Sequence, residues 1–177
     1  KEAKDVINKP VRYLLSSYLD NNYRTSESEF TEPFMKLCGF FFGDGVRSDS
    51  KEPQCLRFKL RKHRKIEYLK SLGFPVLQGK GDRYTVYTPE STWIHRCFVS
   101  GKNKTIPEWL LKLPYEKLMA FFDGLKNSDG TRIKANSWCY DSCDKSALDT
   151  IQAAAHINGL SANMTLSNVN EGDGHEN

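Results

Sequence analysis

The chain has 177 residues, enough for one domain or two small ones, and its 38% hydrophobic content excludes disorder, collagen and coiled coil as the main state. The net charge of +4 is modest but uneven, since six Lys or Arg and no acid lie between Gln54 and Ile66. No apolar run approaches membrane-spanning length and no apolar leader is present, so we expect an intracellular protein, in the cytoplasm or nucleoid, that is not secreted. Because the chain begins at Lys1 and ends in a polar tail, we expect it to be a fragment of a longer product.

Residues 1–30 are predicted to form an N-terminal helix, which opens near Pro10, and a charged, Ser-rich linker. The next stretch, from Pro33 to Gly45, is apolar nearly all round and predicts a buried helix. A short strand from Val46 to Ser48 should follow it.

The segment from Cys55 to Arg61 alternates between apolar and basic residues, which predicts a strand with one buried face. A helix from His63 to Leu72 comes next. A hairpin of Pro75 to Leu77 and Arg83 to Thr88, followed by a helix from Glu90 to Phe98, completes this part of the chain.

A second stretch, from Pro114 to Gly130, has the same character as the first apolar helix and also ends in Asp-Gly. It is followed by predicted strands at Thr131 to Lys134 and Ser137 to Asp141 and by a helix from Lys145 to Ile157. A third strand is predicted to begin at Ala162 and run to Leu166.

The two stretches form an internal duplication. Asp44 lies 29 residues before Gly73, the glycine after the next predicted helix, and Asp129 lies 30 residues before the corresponding Gly159. The two aspartates are 85 residues apart. We therefore predict an α+β fold of two pseudo-symmetric αββαββα halves, residues 31–113 and 114–177, whose strands form an antiparallel β saddle. The second half is expected to lack its last strand and helix.

Four residues of the duplicated helices indicate how the halves meet. Helices approach closely only where side chains are small, so Gly39 and Gly124 are predicted to lie at a helix contact. That contact would bring Asp44 and Asp129 together.

Two carboxylates about 4 Å apart repel by about 4 kcal/mol, which is unfavourable unless a divalent cation lies between them. Oxygen ligands favour Mg²⁺. Such a cation can activate water for phosphodiester hydrolysis. The alternative is that Asp-Gly simply ends each helix.

Basic residues on the predicted strands favour a nucleic-acid partner. In the strand Leu56 to Arg61 the basic residues share one face, which can lie in the DNA major groove; the alternative is a solvated surface. The residues predicted to contact DNA are Arg47, Arg57, Lys59, Arg61, Lys80, Arg83, Arg132 and Lys134.

The two helix ends, LCGFFFGDG at 37–45 and FDGLKNSDG at 122–130, resemble the signature of LAGLIDADG homing endonucleases. Both depart from the signature at its sixth position, usually acidic, where this chain has Phe42 and Asn127. The segment from Gly101 to Leu110 is similar to the Lys-x-Ile-Pro segment that precedes the second signature helix in intein-type members. The resemblance covers roughly residues 31 to 168.

The resemblance implies an intein-type, single-chain enzyme that makes a magnesium-dependent double-strand break in a specific DNA site, with Asp44 and Asp129 as metal ligands. It implies that Lys104, with Lys102 as the alternative, is the catalytic lysine; the competing interpretation is an exposed loop lysine. A monomer with internal pseudo-twofold symmetry is expected. A DNA-binding regulator without catalysis and an RNA maturase are the alternative functions.

The five cysteines indicate free thiols rather than a disulfide framework. Cys139 and Cys143 with His156 suggest zinc only weakly, because the spacing lacks the close Cys-x-x-Cys pairs of structural zinc sites.

Overall fold

The computed structural model describes residues 30–50, 53–101, 103–134, 137–142 and 144–165. They form a mixed α/β fold with antiparallel sheets. The helices are α1 (Glu32–Asp44), α2 (His63–Ser71), α3 (Ser91–Phe98), α4 (Tyr115–Ser128) and α5 (Lys145–Ile157). The strands are β1 (Gly45–Val46), β2 (Leu56–Lys59), β3 (Val76–Gln78), β4 (Arg83–Val86), β5 (Val99–Ser100), β6 (Asn103–Lys104), β7 (Thr131–Lys134) and β8 (Ser137–Cys139).

Helix α1 begins and ends as its sequence predicts. The Thr31 side chain accepts a hydrogen bond from the backbone N–H of Phe34, and Pro33 stands in the first turn, where a missing N–H costs nothing. The helix is buried along most of its length. Its apolar residues contact α4 on one side and the four-stranded sheet on the other, and no pair of described helices packs more extensively than α1 and α4.

Strands β1 to β4 form one antiparallel sheet in the order β1-β2-β4-β3. Leu56 and Phe58 of β2 are each 1% exposed, whereas Arg57 and Lys59 face solvent. Arg57 is opposite Thr85 and Lys59 is opposite Arg83 in β4. The predicted alternation of β2 is therefore confirmed, and it gives the sheet a buried apolar face and an exposed basic face.

The remaining described strands form two two-stranded antiparallel sheets, β5-β6 and β7-β8. A 3-10 helix, Glu108–Lys112, connects β6 to α4. The element order from α1 to α3 is αββαββα, and from α4 to α5 it is αββα. The division of the chain at residue 113 stays a prediction.

Some predicted boundaries were wrong. The first strand is Gly45–Val46 rather than Val46 to Ser48, and β8 ends at Cys139 rather than Asp141. No strand forms at 162–165, and Leu166 lies outside the described residues. The predicted N-terminal helix and linker, Lys102 and Cys143 also lie outside them.

The aromatic core lies between the two long helices and the sheet. Phe41 and Phe58 meet edge to face at 6.1 Å, and Phe98 stacks on Phe121 at 5.9 Å between ring centroids. The four cysteines of the described residues, Cys38, Cys55, Cys97 and Cys139, are free thiols as predicted. Among the described helices, none is long and apolar enough to cross a bilayer.

Candidate active site

Helices α1 and α4 approach each other through glycines. A Cβ atom added to Gly39 would lie 2.8 Å from the backbone nitrogen of Leu125, and one added to Gly124 would lie 2.8 Å from that of Phe40. A third glycine, Gly43, has no room either, because Ser128 occupies the space that its side chain would need. The sequence predicted the first two contacts and missed the third.

The close approach brings the ends of the two helices together. Asp44 is the last residue of α1, and Asp129 follows α4 directly as its C-cap. Their carboxylates lie close enough to share one partner, the ammonium group of Lys65. Lys65 Nζ is 2.7 Å from Asp44 Oδ1 and 3.1 Å from Asp129 Oδ1.

The two carboxylates differ in their surroundings. The Asp44 side chain is 13% exposed and that of Asp129 is 45% exposed. Burial raises the pKa of Asp44; the hydrogen bond from Lys65 lowers it, and the charge of Asp129 raises it again. Asp44 Oδ2 is buried and has no hydrogen-bond partner among the described residues. An oxygen in that state is expected to have a further partner when the protein works, since a buried acceptor without one costs about 1–3 kcal/mol.

Lys104, the predicted catalytic lysine, lies beside the C-terminal end of α1. It belongs to β6, and its Nζ donates to the carbonyl oxygens of Gly43 at 2.6 Å and Phe41 at 3.2 Å. Burial lowers the pKa of Lys104 to about 8, although the charges of Asp129 and Asp44 oppose that shift. The alternative interpretation, an exposed loop lysine, is therefore wrong.

Lys65 is the residue that the sequence analysis missed. It lies in the first turn of α2 and is 8% exposed, whereas Arg57, Lys59, Arg61 and Arg64 in the same basic stretch are exposed. The sequence carried one usable signal. Lys65 precedes the buried Leu69 by four residues, so both lie on one face of α2.

A cavity of about 280 Å³ lies between Asp44 and the basic residues at the end of β2. Its lining combines one carboxylate, one leucine and four cationic residues, namely Asp44, Leu60, Lys59, Arg61, Lys62 and Lys65. The cationic lining and the single carboxylate suit an anionic ligand group such as a phosphate.

The predicted DNA-contacting residues are all exposed, and they lie on two different sheets and in connecting segments. Arg57, Lys59 and Arg83 share the outer face of the four-stranded sheet, and Arg61 donates to Asp82 at 3.1 Å beside it. The other exposed predicted residues are Arg47 after β1, Lys80 in the β3–β4 turn, and Arg132 and Lys134 in β7.

No family model matches the chain, and no curated protein matches it. Among solved structures, the chain is similar to the homing endonuclease I-WcaI bound to its DNA recognition sequence. The identity is 14% and the TM-score is 0.45, over 87% of this chain and 77% of that chain. This likeness is distant, so it assigns no function to this chain.

The residues present fit a magnesium ion. Mg²⁺ is bound in proteins through one or two carboxylates, with water and substrate phosphate oxygens as its other ligands. Asp44 and Asp129 provide two carboxylates, and the partnerless Oδ2 of Asp44 is a free ligand atom. Within the described residues no group of three or more His, Cys, Asp or Glu could hold a metal, so an all-protein cage of the zinc type does not form there.

The lowered pKa of Lys104 can be tested directly. We expect its side-chain NMR signal to titrate with a midpoint near pH 8 and, in Asp44→Asn, at a lower pH, because the Asp44 charge raises the pKa of Lys104. The signal is assigned by its absence in Lys104→Met. The control Asp149→Asn, on α5 and paired with Lys145, should leave the midpoint unchanged. A midpoint near 10.5, the ordinary lysine value, would show that the side chain is solvated.

Proposed function

We propose that the chain is an intein-type LAGLIDADG homing endonuclease that hydrolyses both strands of a specific DNA duplex in a magnesium-dependent reaction. The observation that carries the proposal is the convergence of Asp44 and Asp129, from matched ends of two glycine-packed helices, on a single ammonium group. A protein that only binds DNA has no need of two carboxylates held together at a helix interface. The similarity to I-WcaI is consistent with this proposal but does not carry it.

The residues of the site have separate roles in this reaction. Asp44 and Asp129 would hold the magnesium ion, which when bound would lower the pKa of water and neutralise charge on the phosphate oxygens. Lys104 uses two of its three N–H donors on the carbonyls of Phe41 and Gly43, which leaves one for a water or a phosphate oxygen. With a pKa of about 8, Lys104 can exchange a proton with that water near neutral pH.

The duplex would lie along the exposed face of the four-stranded sheet, with Arg132 and Lys134 of β7 extending the contact in the second half of the chain. Arg57, Lys59 and Arg83 lie on that face and are exposed, so they would contact base edges and phosphates. The cavity beside Asp44 would then receive the scissile phosphate, because its lining carries four cationic side chains next to the carboxylate pair.

The experiment that tests the function is incubation of the protein with the uninterrupted form of its host gene, with and without magnesium. We expect one double-strand break, with 3′ overhangs as the resemblance implies, that appears only with magnesium. Sequence-specific binding without cutting would identify a regulator. Rescue of intron splicing without DNA cleavage would identify an RNA maturase.

The basic face of the four-stranded sheet leads to a separate prediction about DNA binding. If about six phosphates are neutralised, the logarithm of the affinity for duplex DNA should fall with the logarithm of the salt concentration with a slope of about −5. The triple variant Arg57→Ala, Lys59→Ala and Arg61→Ala should reduce the magnitude of that slope by about 2.7. Titrations over a range of salt concentrations measure this. The triple variant Lys70→Ala, Lys126→Ala and Lys145→Ala, at exposed helix positions, is the charge-matched control. An unchanged slope in the first variant would remove β2 from the interface.

A further inference from the structure

Lys65 occupies the position that the proposed function assigns to a metal ion. Its ammonium group lies between Asp44 Oδ1 and Asp129 Oδ1 at 2.7 and 3.1 Å, and it is the only lysine among the described residues that contacts both carboxylates. The sequence analysis expected the repulsion between these carboxylates to require a divalent cation. In the structure a side chain of the protein itself relieves it.

The charges of the site balance without a metal. Two carboxylates, Asp44 and Asp129, lie near two lysines that are not exposed, Lys65 and Lys104, and these four charges sum to zero. Lys59, Arg61 and Lys62 of the cavity lining are exposed, so solvent and salt screen their charges. Adding a divalent cation while both lysines stay would leave an excess of two positive charges in a half-buried site, which the low local dielectric makes unfavourable. Binding of the metal is therefore favoured when one ammonium group moves away.

Lys65 is the lysine that can leave. Lys104 is fixed by two backbone carbonyls of α1, whereas Lys65 Nζ donates hydrogen bonds to the two carboxylates that the metal would take. Lys65 also lines the 280 Å³ cavity, and exposed Lys59, Arg61 and Lys62 connect that cavity to the surface. The side chain thus has space into which its ammonium group can swing.

We propose that Lys65 is the resident counterion of the Asp44 and Asp129 carboxylates and that a divalent cation binds by displacing its ammonium group. The inference rests on the proposed function for the identity of the cation as magnesium. It makes Lys65 a positioning residue that sets the metal affinity of the site, and it places the displaced ammonium in the cavity where the scissile phosphate would lie.

The test is calorimetric titration of the protein with Mg²⁺, and with Mn²⁺ as a second probe, in the absence of DNA. Lys65→Met removes the competing charge and should bind either metal at least about tenfold more tightly than the parent, the equivalent of about 1.4 kcal/mol. The matched control is Lys70→Met on the same helix, whose lysine is exposed and pairs with Glu67, and it should bind as the parent does. Equal or weaker metal binding by Lys65→Met would overturn the proposal.

A second measurement keeps the test decisive if Lys65→Met does not fold. In the parent, NMR signals of the Lys65 side chain should shift as Mg²⁺ is added and saturate with the metal-binding curve, while those of Lys70 stay in place. A Lys65 signal unchanged at metal saturation would show that the ammonium stays between the carboxylates, and would overturn the proposal.

These results are distinguishable from failure of the proposed function, because neither measurement uses DNA. If Lys65→Met raises the metal affinity but the parent protein never cuts its host gene, Lys65 is the counterion and the endonuclease assignment is wrong. If the parent protein cuts its host gene with magnesium but Lys65→Met does not change the metal affinity, the endonuclease assignment stands and the counterion role of Lys65 is wrong.

Discussion

Gly39→Ala and Gly124→Ala are each expected to destabilise the protein by more than the usual overpacking cost of about 1–3 kcal/mol. The added methyl group at position 39 would lie 2.8 Å from Leu125 N and closer still to the Phe121 carbonyl oxygen. Both atoms belong to backbone, so no side-chain rotation relieves the clash. Helix α4 as a whole must move away from α1, and the core between them opens.

Thermal melts measure this effect, and the direction of the change in melting temperature distinguishes a helix contact from an unconstrained position. At an unconstrained position inside a helix, Gly→Ala stabilises by up to about 1 kcal/mol, whereas here we expect the melting temperature to fall by about 10 °C or more. Lys126→Ala, at an exposed position of α4, is the control and should melt close to the parent. If Gly39→Ala melted at or above the parent temperature, the helices would not be in contact at this glycine.

The helix positions and the faces of β2 could be predicted from the sequence because local rules determine them. Pro33 and Pro114 lie at the starts of α1 and α4, Asp-Gly lies at their ends, and period-two alternation assigns Leu56 and Phe58 to the core. The helix contact followed from the same local pattern, because glycine in an apolar helix indicates close approach of another backbone.

Two features could not be predicted because they depend on tertiary partners. Lys65 lies in a run of cationic residues typical of a solvated surface, and only the orientation of α2 places it under the two carboxylates. The strand expected from Ala162 does not form at 162–165. There the Ala162 carbonyl accepts a hydrogen bond from the Gln152 side chain at 2.9 Å, so α5 provides the partner that a strand would need.

Asp44→Asn and Asp129→Asn are each expected to abolish double-strand cleavage, with a fall of about a thousandfold or more. Under the proposed function, each substitution removes one of the two carboxylates that would hold the same cation. The lost transition-state stabilisation is then several kcal/mol, at about 1.4 kcal/mol per tenfold change in rate. End-labelled cleavage of each DNA strand with magnesium measures the effect. Asp123→Asn is the control: this carboxylate also lies on α4, but it contacts Tyr68, Asn127 and Lys36 rather than Lys65.

The same variants distinguish loss of chemistry from loss of fold. Burial raises the pKa of Asp44, so the charged form is disfavoured in the folded protein and a neutral asparagine there should not lower the melting temperature sharply. DNA affinity measured in chelator should stay level or rise slightly, because one negative charge has been removed from a site that the proposed function places against the DNA. Full cleavage by either variant would exclude the carboxylates from catalysis. A clean nick on one strand would instead show that each carboxylate serves its own strand, so that the cation is not shared across the helix interface.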